Sequence, residues 1–360
     1  MKESINPKMI QLAREYRGMT QKTLAALLEV APGAVSRMES DLLAVSEEML
    51  LKLSTELRLP QRFFQEPANI YPLGVHFYRK AKTIPQRSLT AINAEINVDS
   101  IRIDKLLDAA ELAVTNIPNI DLETEPDKYK TAADVARAVR VAWSVPEGPI
   151  ENMSKLLEDV GIIVVFGDFN TRFFDSVSFA TRKGNYVVFV NSQMPGDRIR
   201  YSLAHECGHI IMHRIPHARI EDEANEFAGE FLMPGKSIRP YLSKVTLETL
   251  ANLKRYWRVS MQAILMRARR LDMLTENQYS YLWVQMSKMG YKTHEPIEIP
   301  QESPSLLQEI VKIYTGEYRY SDEELKELLY LDDEEYKKYN PHAITPLRVL
   351  PRIHNLAKSS

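Results

Sequence analysis

Apolar residues in the first part of the chain recur with the three- and four-residue spacing of short helices. Within residues 8–64 the clearest case begins at Thr20, after which Leu24, Ala25 and Leu28 share one face. Thr20 suits the N-cap position because its hydroxyl can accept a hydrogen bond from the first turn of the helix. This pattern predicts an all-α N-terminal domain.

Further along, the helical period is interrupted by one region with the pattern of β-strands. Residues 162–166 form a β-branched run, and residues 176–180 and 186–190 flank the turn-like sequence Arg-Lys-Gly-Asn. We therefore predict a short strand followed by a hairpin, within a mostly α chain that has a small β-sheet. Helical periodicity accounts for the longer segments 88–115, 246–289 and 301–340.

The most informative chemistry lies between His205 and His209, which read H-E-x-x-H within an apolar run. Because an α-helix has 3.6 residues per turn, His205 and His209 share a face and can present imidazole nitrogens to one metal ion. Glu206 stands beside the first histidine and can act as general base toward water at that metal. Zn²⁺ suits two imidazoles and a carboxylate with one open position. The alternative is an ordinary helix lined by two histidines.

A second predicted helix offers candidates for a third ligand. It runs from Glu221 and stops at Pro234, as helices do before proline. Glu221 can complete a His₂Glu site, and Asn225, one turn further, can hydrogen-bond a ligand histidine. Glu223 is the rival third ligand, on the other side of the helix from Glu221. The sequence favours Glu221 and leaves Glu223 open.

These segments together resemble the ImmA/IrrE family of metallopeptidases. The residues that carry the resemblance are 198–213, with the H-E-x-x-H motif, and 221–234, with the sequence Glu-Asp-Glu-Ala-Asn-Glu-Phe-Ala-Gly-Glu-Phe-Leu-Met-Pro. Weaker similarity extends over about residues 130–300. The resemblance implies an α+β, zincin-like domain in the middle of the chain.

The resemblance also implies the roles of the site residues. Zn²⁺ would be held by His205, His209 and Glu221, with Glu206 as the catalytic base of a gluzincin-like zinc metalloendopeptidase whose activity is conditional. Cys207 departs from the Leu or Ile that is frequent at its position. It lies on the side of the helix away from the ligands, so we expect a small buried residue there; a thiol switch at the zinc is the alternative.

The N-terminal helices resemble the XRE type of helix-turn-helix, in which the second helix of the motif enters the major groove. Residues 1–60 hold eight Lys or Arg and eight Asp or Glu, so the domain has no overall positive charge. We expect Arg14, Arg17, Lys22 and Arg37 to form a local basic cluster; a protein-docking module is the alternative to a DNA reader. The expected DNA contacts are phosphate by Gln21 and Lys22, base edges by Ser36 and Arg37, and a thymine methyl by Gly33 or Ala34.

Composition places the chain among ordinary globular proteins, with 44% hydrophobic and 26% charged residues. A formal net charge of −2 gives no global attraction to nucleic acid. One cysteine excludes an intrachain disulfide and suits a reducing compartment. The N-terminus has no signal-peptide pattern, and no apolar run approaches the roughly 20 residues that span a bilayer. We therefore expect a cytoplasmic protein with no membrane partner.

The predicted organisation has four parts: an XRE-type domain at residues 1–68, a helical linker at 69–130, a metallopeptidase domain at 131–300, and a helical segment with a loose tail at 301–360. Zinc peptidases commonly bind extended substrate on an edge strand beside the metal helix, and residues 186–191 are our candidate for that strand. A purely structural sheet edge is the alternative.

Both resemblances together imply a stress-response or phage-related regulator. Its zinc endopeptidase domain would cleave a repressor-type protein, and its helix-turn-helix domain would bind DNA as a homodimer, since one helix pair offers few contacts. The alternative is a transcription factor whose metal-binding domain senses a ligand or partner without proteolysis. A third hypothesis is an antitoxin-like binding protein.

Overall fold

The computed structural model describes residues 4–67, 70, 85–108, 117–122, 125, 127–169, 171, 174–215 and 217–339. The chain forms two compact units, each built from separate stretches of sequence. The first comprises Met1–Ala68, Ile101–Ala110 and Leu307–Ser360, and the second Asn69–Ser100 and Glu111–Leu306. The predicted linker is therefore described only in part, and the predicted tail beyond residue 339 lies outside the described residues.

The first unit begins with the short helices that the sequence predicts. These are α1 (Pro7–Tyr16), α2 (Gln21–Leu27), α3 (Pro32–Glu39) and α4 (Glu47–Leu57), followed by a 3₁₀ helix at Gln61–Gln65. The Thr20 side chain accepts a hydrogen bond from the backbone nitrogen of Thr23 at 3.1 Å, which confirms the predicted N-cap of α2. The predicted apolar face is also confirmed, because Leu24, Ala25 and Leu28 are buried.

The remaining elements follow in chain order. After α5 (Gln86–Leu106) come α6 (Ala132–Ala142), α7 (Met153–Asp159), β1 (Ile162–Gly167), β2 (Ser176–Ala180), β3 (Tyr186–Asn191), α8 (Gly196–Met212) and α9 (Ile220–Leu232). Then come α10 (Gly235–Ile238), a 3₁₀ helix at Arg239–Leu242, α11 (Leu247–Trp257), α12 (Met261–Arg270), α13 (Glu276–Lys288), α14 (Leu306–Gly316), α15 (Asp322–Leu329) and α16 (Asp333–Tyr339). None of the described helices has both the length and the apolar character needed to cross a membrane.

The three strands form one sheet in the order β1-β3-β2. β1 runs parallel to β3, with Ile162 opposite Tyr186, and β2 runs antiparallel to β3, with Ser176 opposite Val190. The predicted hairpin is thus confirmed. The prediction that residues 186–191 offer a free edge is wrong, because both sides of β3 are already paired. β2 takes the edge position, and α8 packs against both β2 and β3.

The core of the second unit lies between α8, α9, α6 and the sheet. α8 is buried over most of its length, and its apolar side chains meet Phe227 and Phe231 of α9. Cys207 is fully buried in this core, as expected, and burial raises the pKa of its thiol. A neutral thiol in a sealed apolar site is inert, which argues against a redox role.

In the first unit, α16 is tied to α1 and to the end of α5 by one buried carboxylate. Glu335 accepts hydrogen bonds from Arg102 at 2.8 Å, from Arg17 at 2.8 Å and from the hydroxyl of Tyr16 at 2.7 Å. Burial alone would raise the pKa of Glu335, but the two guanidinium charges and the Tyr16 hydrogen bond outweigh it and lower that pKa. The C-terminal helices are therefore an integral part of this unit.

Replacing Glu335 by glutamine should lower the free energy of unfolding at pH 7 by on the order of 3 kcal/mol, because two buried guanidinium groups lose their counter-charge. Because the pKa of Glu335 is lower in the folded chain, its stabilisation is complete above the ordinary glutamate pKa of about 4.3. It is lost as the pH falls through the folded value. Urea unfolding of the full chain should show the variant and wild type converging in acid.

The matched control is Glu334→Gln, which removes the same charge from the neighbouring exposed position. It should change the free energy of unfolding by less than about 0.5 kcal/mol. Equal losses in both variants would show that general charge, and not the Glu335 contacts, stabilises the unit.

Candidate metal centre

The beginning of α8 is anchored by buried ion pairs. Asp197 in its first turn binds Lys254 at 2.5 Å, and Lys254 also binds Glu295 at 2.8 Å. Arg200, one turn later, is paired with Glu302 and donates to the carbonyl of Ile150. These contacts fix the helix that carries the H-E-x-x-H motif two turns further on.

α8 and α9 meet closely at Gly208. A Cβ atom at this position would lie only 3.1–3.3 Å from the side chain of Phe227. Phe227 cannot easily yield, because it is fully buried and stacked on Phe231 with ring centroids 5.3 Å apart. The missing side chain of Gly208 therefore lets α9 approach near enough for Glu221 to reach the histidines of α8.

His205, His209 and Glu221 converge. The two Nε2 atoms are 3.0 Å apart, and the Glu221 carboxylate lies 3.5 Å from Nε2 of His205 and 3.3 Å from Nε2 of His209. Tetrahedral zinc with bonds of about 2.0–2.1 Å places its ligands about 3.3 Å apart. The three donors therefore fit a zinc ion in chemistry and in spacing. Of these groups His205 is the most buried, at 4% exposed.

The other nitrogen of each histidine has a partner that fixes its hydrogen. Nδ1 of His205 lies 3.2 Å from Oδ1 of Asn225, whose Nδ2 donates to the carbonyl of Glu221 at 2.7 Å. The amide therefore presents its oxygen to His205, so Nδ1 carries the hydrogen and Nε2 carries the lone pair. This is the contact expected of Asn225.

His209 is oriented in a similar way through a third histidine. Its Nδ1 lies 2.9 Å from Nδ1 of His213, and Nε2 of His213 lies 3.2 Å from the Glu223 carboxylate. If His213 donates to Glu223, its Nδ1 accepts from His209, and Nε2 of His209 is left with its lone pair. Both histidines could then present Nε2 to one metal ion.

Glu206 is buried and held by two serines that the sequence analysis did not identify. Ser176 donates to one carboxylate oxygen at 2.8 Å and Ser178 to the other at 2.7 Å. Residues two apart on a strand point to the same face, so β2 can offer both hydroxyls at once. The Ser-Val-Ser alternation was the signal in the sequence.

Glu223, the rival third ligand, faces a different pair of histidines. One carboxylate oxygen lies 3.2 Å from Nε2 of His213 and 3.6 Å from Nε2 of His217, and the other lies 3.1 Å from Arg219. The geometry thus places Glu221 with the first pair of histidines and Glu223 with the second.

The predicted DNA-contacting residues lie on α2 and α3, but their surroundings differ. Lys22, Gly33 and Arg37 are exposed, whereas Gln21, Ala34 and Ser36 are half-buried. Gln21 donates to Glu39 at 2.7 Å. The expected basic cluster of four is wrong for two members: Arg14 is buried against Glu39, and Arg17 is bound to Glu335. Lys22 and Arg37 remain as the exposed cations of that set.

Comparison with known families agrees with both halves of this description. Residues 157–269 match a peptidase family described as the IrrE N-terminal-like domain, and residues 10–60 match the helix-turn-helix family. A search of curated proteins found no match. The chain therefore contains a helix-turn-helix domain and a metallopeptidase-type domain. More closely, it joins an XRE-type DNA-binding domain to an IrrE/ImmA-like domain, and the IrrE-like family is generally metal-dependent.

Replacing Gly208 by alanine should force α8 and α9 apart by a few tenths of an ångström. We expect a loss of about 1–3 kcal/mol in the free energy of unfolding, typical of overpacking, and weaker metal binding because Glu221 retreats from the histidines. Urea unfolding and metal analysis of the purified variant measure the two effects.

Gly229→Ala in α9 is the matched control. Its nearest neighbour, the Arg267 side chain, lies 3.6 Å from the added Cβ, an ordinary contact. Because alanine favours helix over glycine by about 0.5–1 kcal/mol, this variant should be no less stable than wild type. If Gly208→Ala were equally well tolerated, the close approach would not limit the site.

Proposed function

We propose that the protein is a cytoplasmic regulator with a zinc-dependent endopeptidase domain that cleaves a repressor-type protein, coupled to a DNA-binding helix-turn-helix domain. The observation that carries this proposal is the convergence of His205, His209 and Glu221, with Glu206 next to the first histidine on the same buried helix. The matched peptidase family supports it. A metal-binding sensor would need the three ligands but not a buried, doubly held Glu206.

His205, His209 and Glu221 would hold the zinc ion. When bound, zinc supplies Lewis acidity, which makes water a nucleophile near neutral pH and polarises a carbonyl. The protein's part is to keep both Nε2 lone pairs directed at one point, through Asn225 behind His205 and His213 behind His209.

Glu206 is the proposed general base. A carboxylate oxygen takes the proton of the attacking water and returns it to the nitrogen of the leaving amine, so one group serves both transfers. Ser176 and Ser178 keep the carboxylate in one orientation by donating to each oxygen. Such positioning contributes to rate because the proton acceptor is already in place when substrate binds.

The outer edge of β2 is the proposed binding edge for an extended substrate. β2 is an edge strand of the described sheet and carries the two serines that contact Glu206. A peptide added as a further strand would gain main-chain hydrogen bonds and lie beside the base. An exposed linker or loop of a repressor suits this mode, since a helix has already used its backbone hydrogen bonds internally and cannot pair with a strand edge.

Glu206→Gln should lower the cleavage rate by on the order of 10² to 10⁴ while the metal content stays that of wild type. Glutamine has nearly the same shape but cannot accept the proton, and Glu206 is not a proposed ligand. His205→Ala should lose the metal held at this site, and with it the activity. Mass spectrometry of repressor proteins encoded beside this chain, mixed with the zinc-loaded variants, measures the cleavage.

The same variants separate the peptidase from the sensor. If the cellular response survives in Glu206→Gln and disappears in His205→Ala, metal binding matters and proteolysis does not. That result would replace the endopeptidase with the sensing transcription factor.

DNA binding by the first unit should depend on both exposed cations in different ways. Arg37→Ala should reduce discrimination between sequences, because Arg37 is assigned to base edges. Lys22→Ala should weaken binding to all sequences and reduce the salt dependence by about one phosphate contact. Electrophoretic shifts with the chain's own promoter region, at several salt concentrations, measure both effects.

Lys52→Ala is the control for charge alone, because Lys52 lies on α4 and pairs with Glu48. It should change affinity less than either variant. No shift of promoter DNA even at low salt would favour a protein-docking role for this domain.

A further inference from the structure

A second cluster of the same composition lies beside the first. His213, His217 and Glu223 bring two imidazoles and one carboxylate together, with one donor atom from each residue all within 4.8 Å of one another. The sequence repeats histidine at every fourth position, at 205, 209, 213 and 217. The first pair faces Glu221, and the second pair faces Glu223.

The spacing in the second cluster also suits a metal ion. Glu223 Oε2 lies 3.2 Å from Nε2 of His213 and 3.6 Å from Nε2 of His217, close to the separation of about 3.3 Å between ligands of tetrahedral zinc. Glu223 is 8% exposed, so its charge lies largely out of water. His217 is partly exposed, which gives an ion a route from solvent.

We propose that His213, His217 and Glu223 form a second, weaker site for zinc or a similar divalent cation, and that an ion bound there opposes metal binding at the first site. The first half of this inference stands on the second cluster alone. The second half rests on the proposed zinc at His205, His209 and Glu221.

Two features make the second site the weaker one. Arg219 lies 3.1 Å from the other carboxylate oxygen of Glu223, so a positive charge already neutralises part of the ligand charge. His217 follows α8 and precedes α9, so no helical hydrogen bonds fix its position as they fix the ligands of the first cluster. In the first cluster all three ligands stand on helices.

The opposition follows from the contact between His209 and His213. A neutral imidazole that binds an ion through Nε2 keeps its one hydrogen on Nδ1. With an ion at each site, both Nδ1 atoms would carry hydrogens and face each other at 2.9 Å, where one of them must accept. A single ion at either site is compatible with this contact, but a second ion breaks it, and His209 then loses the partner that holds it as a ligand.

Zinc titration of the metal-free full-length protein tests the second site. Isothermal calorimetry should show two stages, tight and weak, with total zinc rising to two per chain. His217→Ala should abolish only the weak stage. His205→Ala should abolish the tight stage and retain the other. Cobalt titration followed by visible absorption gives a second measure of stoichiometry.

His294→Ala is the matched control, since His294 is exposed and outside both clusters; it should keep both stages. One zinc in wild type, with an unchanged titration of His217→Ala, would overturn the second site. The second site would also be overturned if wild type bound one zinc and His217→Ala and His205→Ala both lost it, because the two clusters would then share a single ion. If His217→Ala abolished the tight stage and His205→Ala did not, the proposed first site would fail and the second would stand.

A separate comparison of zinc affinities tests whether an ion at one site opposes binding at the other. Removing His205 weakens the first site, so the second site should bind zinc at least about 10-fold more tightly in His205→Ala than in wild type, by reciprocity of coupled binding. Equal affinities for the weak stage in the two proteins would overturn the opposition and leave the second site in place.

Discussion

A neutral imidazole has two ring nitrogens and one N–H hydrogen. It can bind a metal ion through one nitrogen only when that hydrogen is on the other nitrogen, where it can be donated to a neighbouring acceptor. This requirement governs the surroundings of the H-E-x-x-H helix. Asn225 accepts from His205 because its own amide hydrogen is committed to the Glu221 carbonyl, and His213 can accept from His209 because Glu223 takes its other side. A change several ångströms from the ion can therefore alter metal binding without removing a ligand.

The position of Glu221 relative to the histidines depends on an apolar contact between α8 and α9. Glu221 belongs to α9, and its distance from the histidines of α8 depends on how closely the two helices pack over Phe227. A glycine within the motif costs helix stability, by about 0.5–1 kcal/mol relative to alanine, but it permits this approach. Packing and chemistry thus constrain the same five residues: the histidines face Glu221, while Cys207 and Gly208 face the core.

Periodicity was enough to predict the helices, the hairpin and the i, i+4 histidine pair, because these depend on residues near in sequence. It also placed Glu221 and Asn225 on one helix. The partners that come from distant segments could not be found this way. Ser176 and Ser178 reach Glu206 only once β2 packs against α8, and the edge position of β2 depends on β1 pairing with the far side of β3. The Glu335 contacts with α1 likewise join opposite ends of the sequence.

The N-terminal domain has equal numbers of basic and acidic residues, but its structure shows that only some of the basic side chains are paired with acidic ones. Arg14 and Arg17 are committed to Glu39 and Glu335, so they stabilise the fold and are not available to phosphate. Lys22 and Arg37 remain exposed on the face proposed to contact DNA. Of these two, only Lys22 is proposed to contact phosphate, and one neutralised phosphate contributes a salt slope of about −0.9, so a single copy would make a weak, modestly salt-dependent contact. A second copy would double that contribution, which is the physical reason to expect this domain to read DNA as a pair.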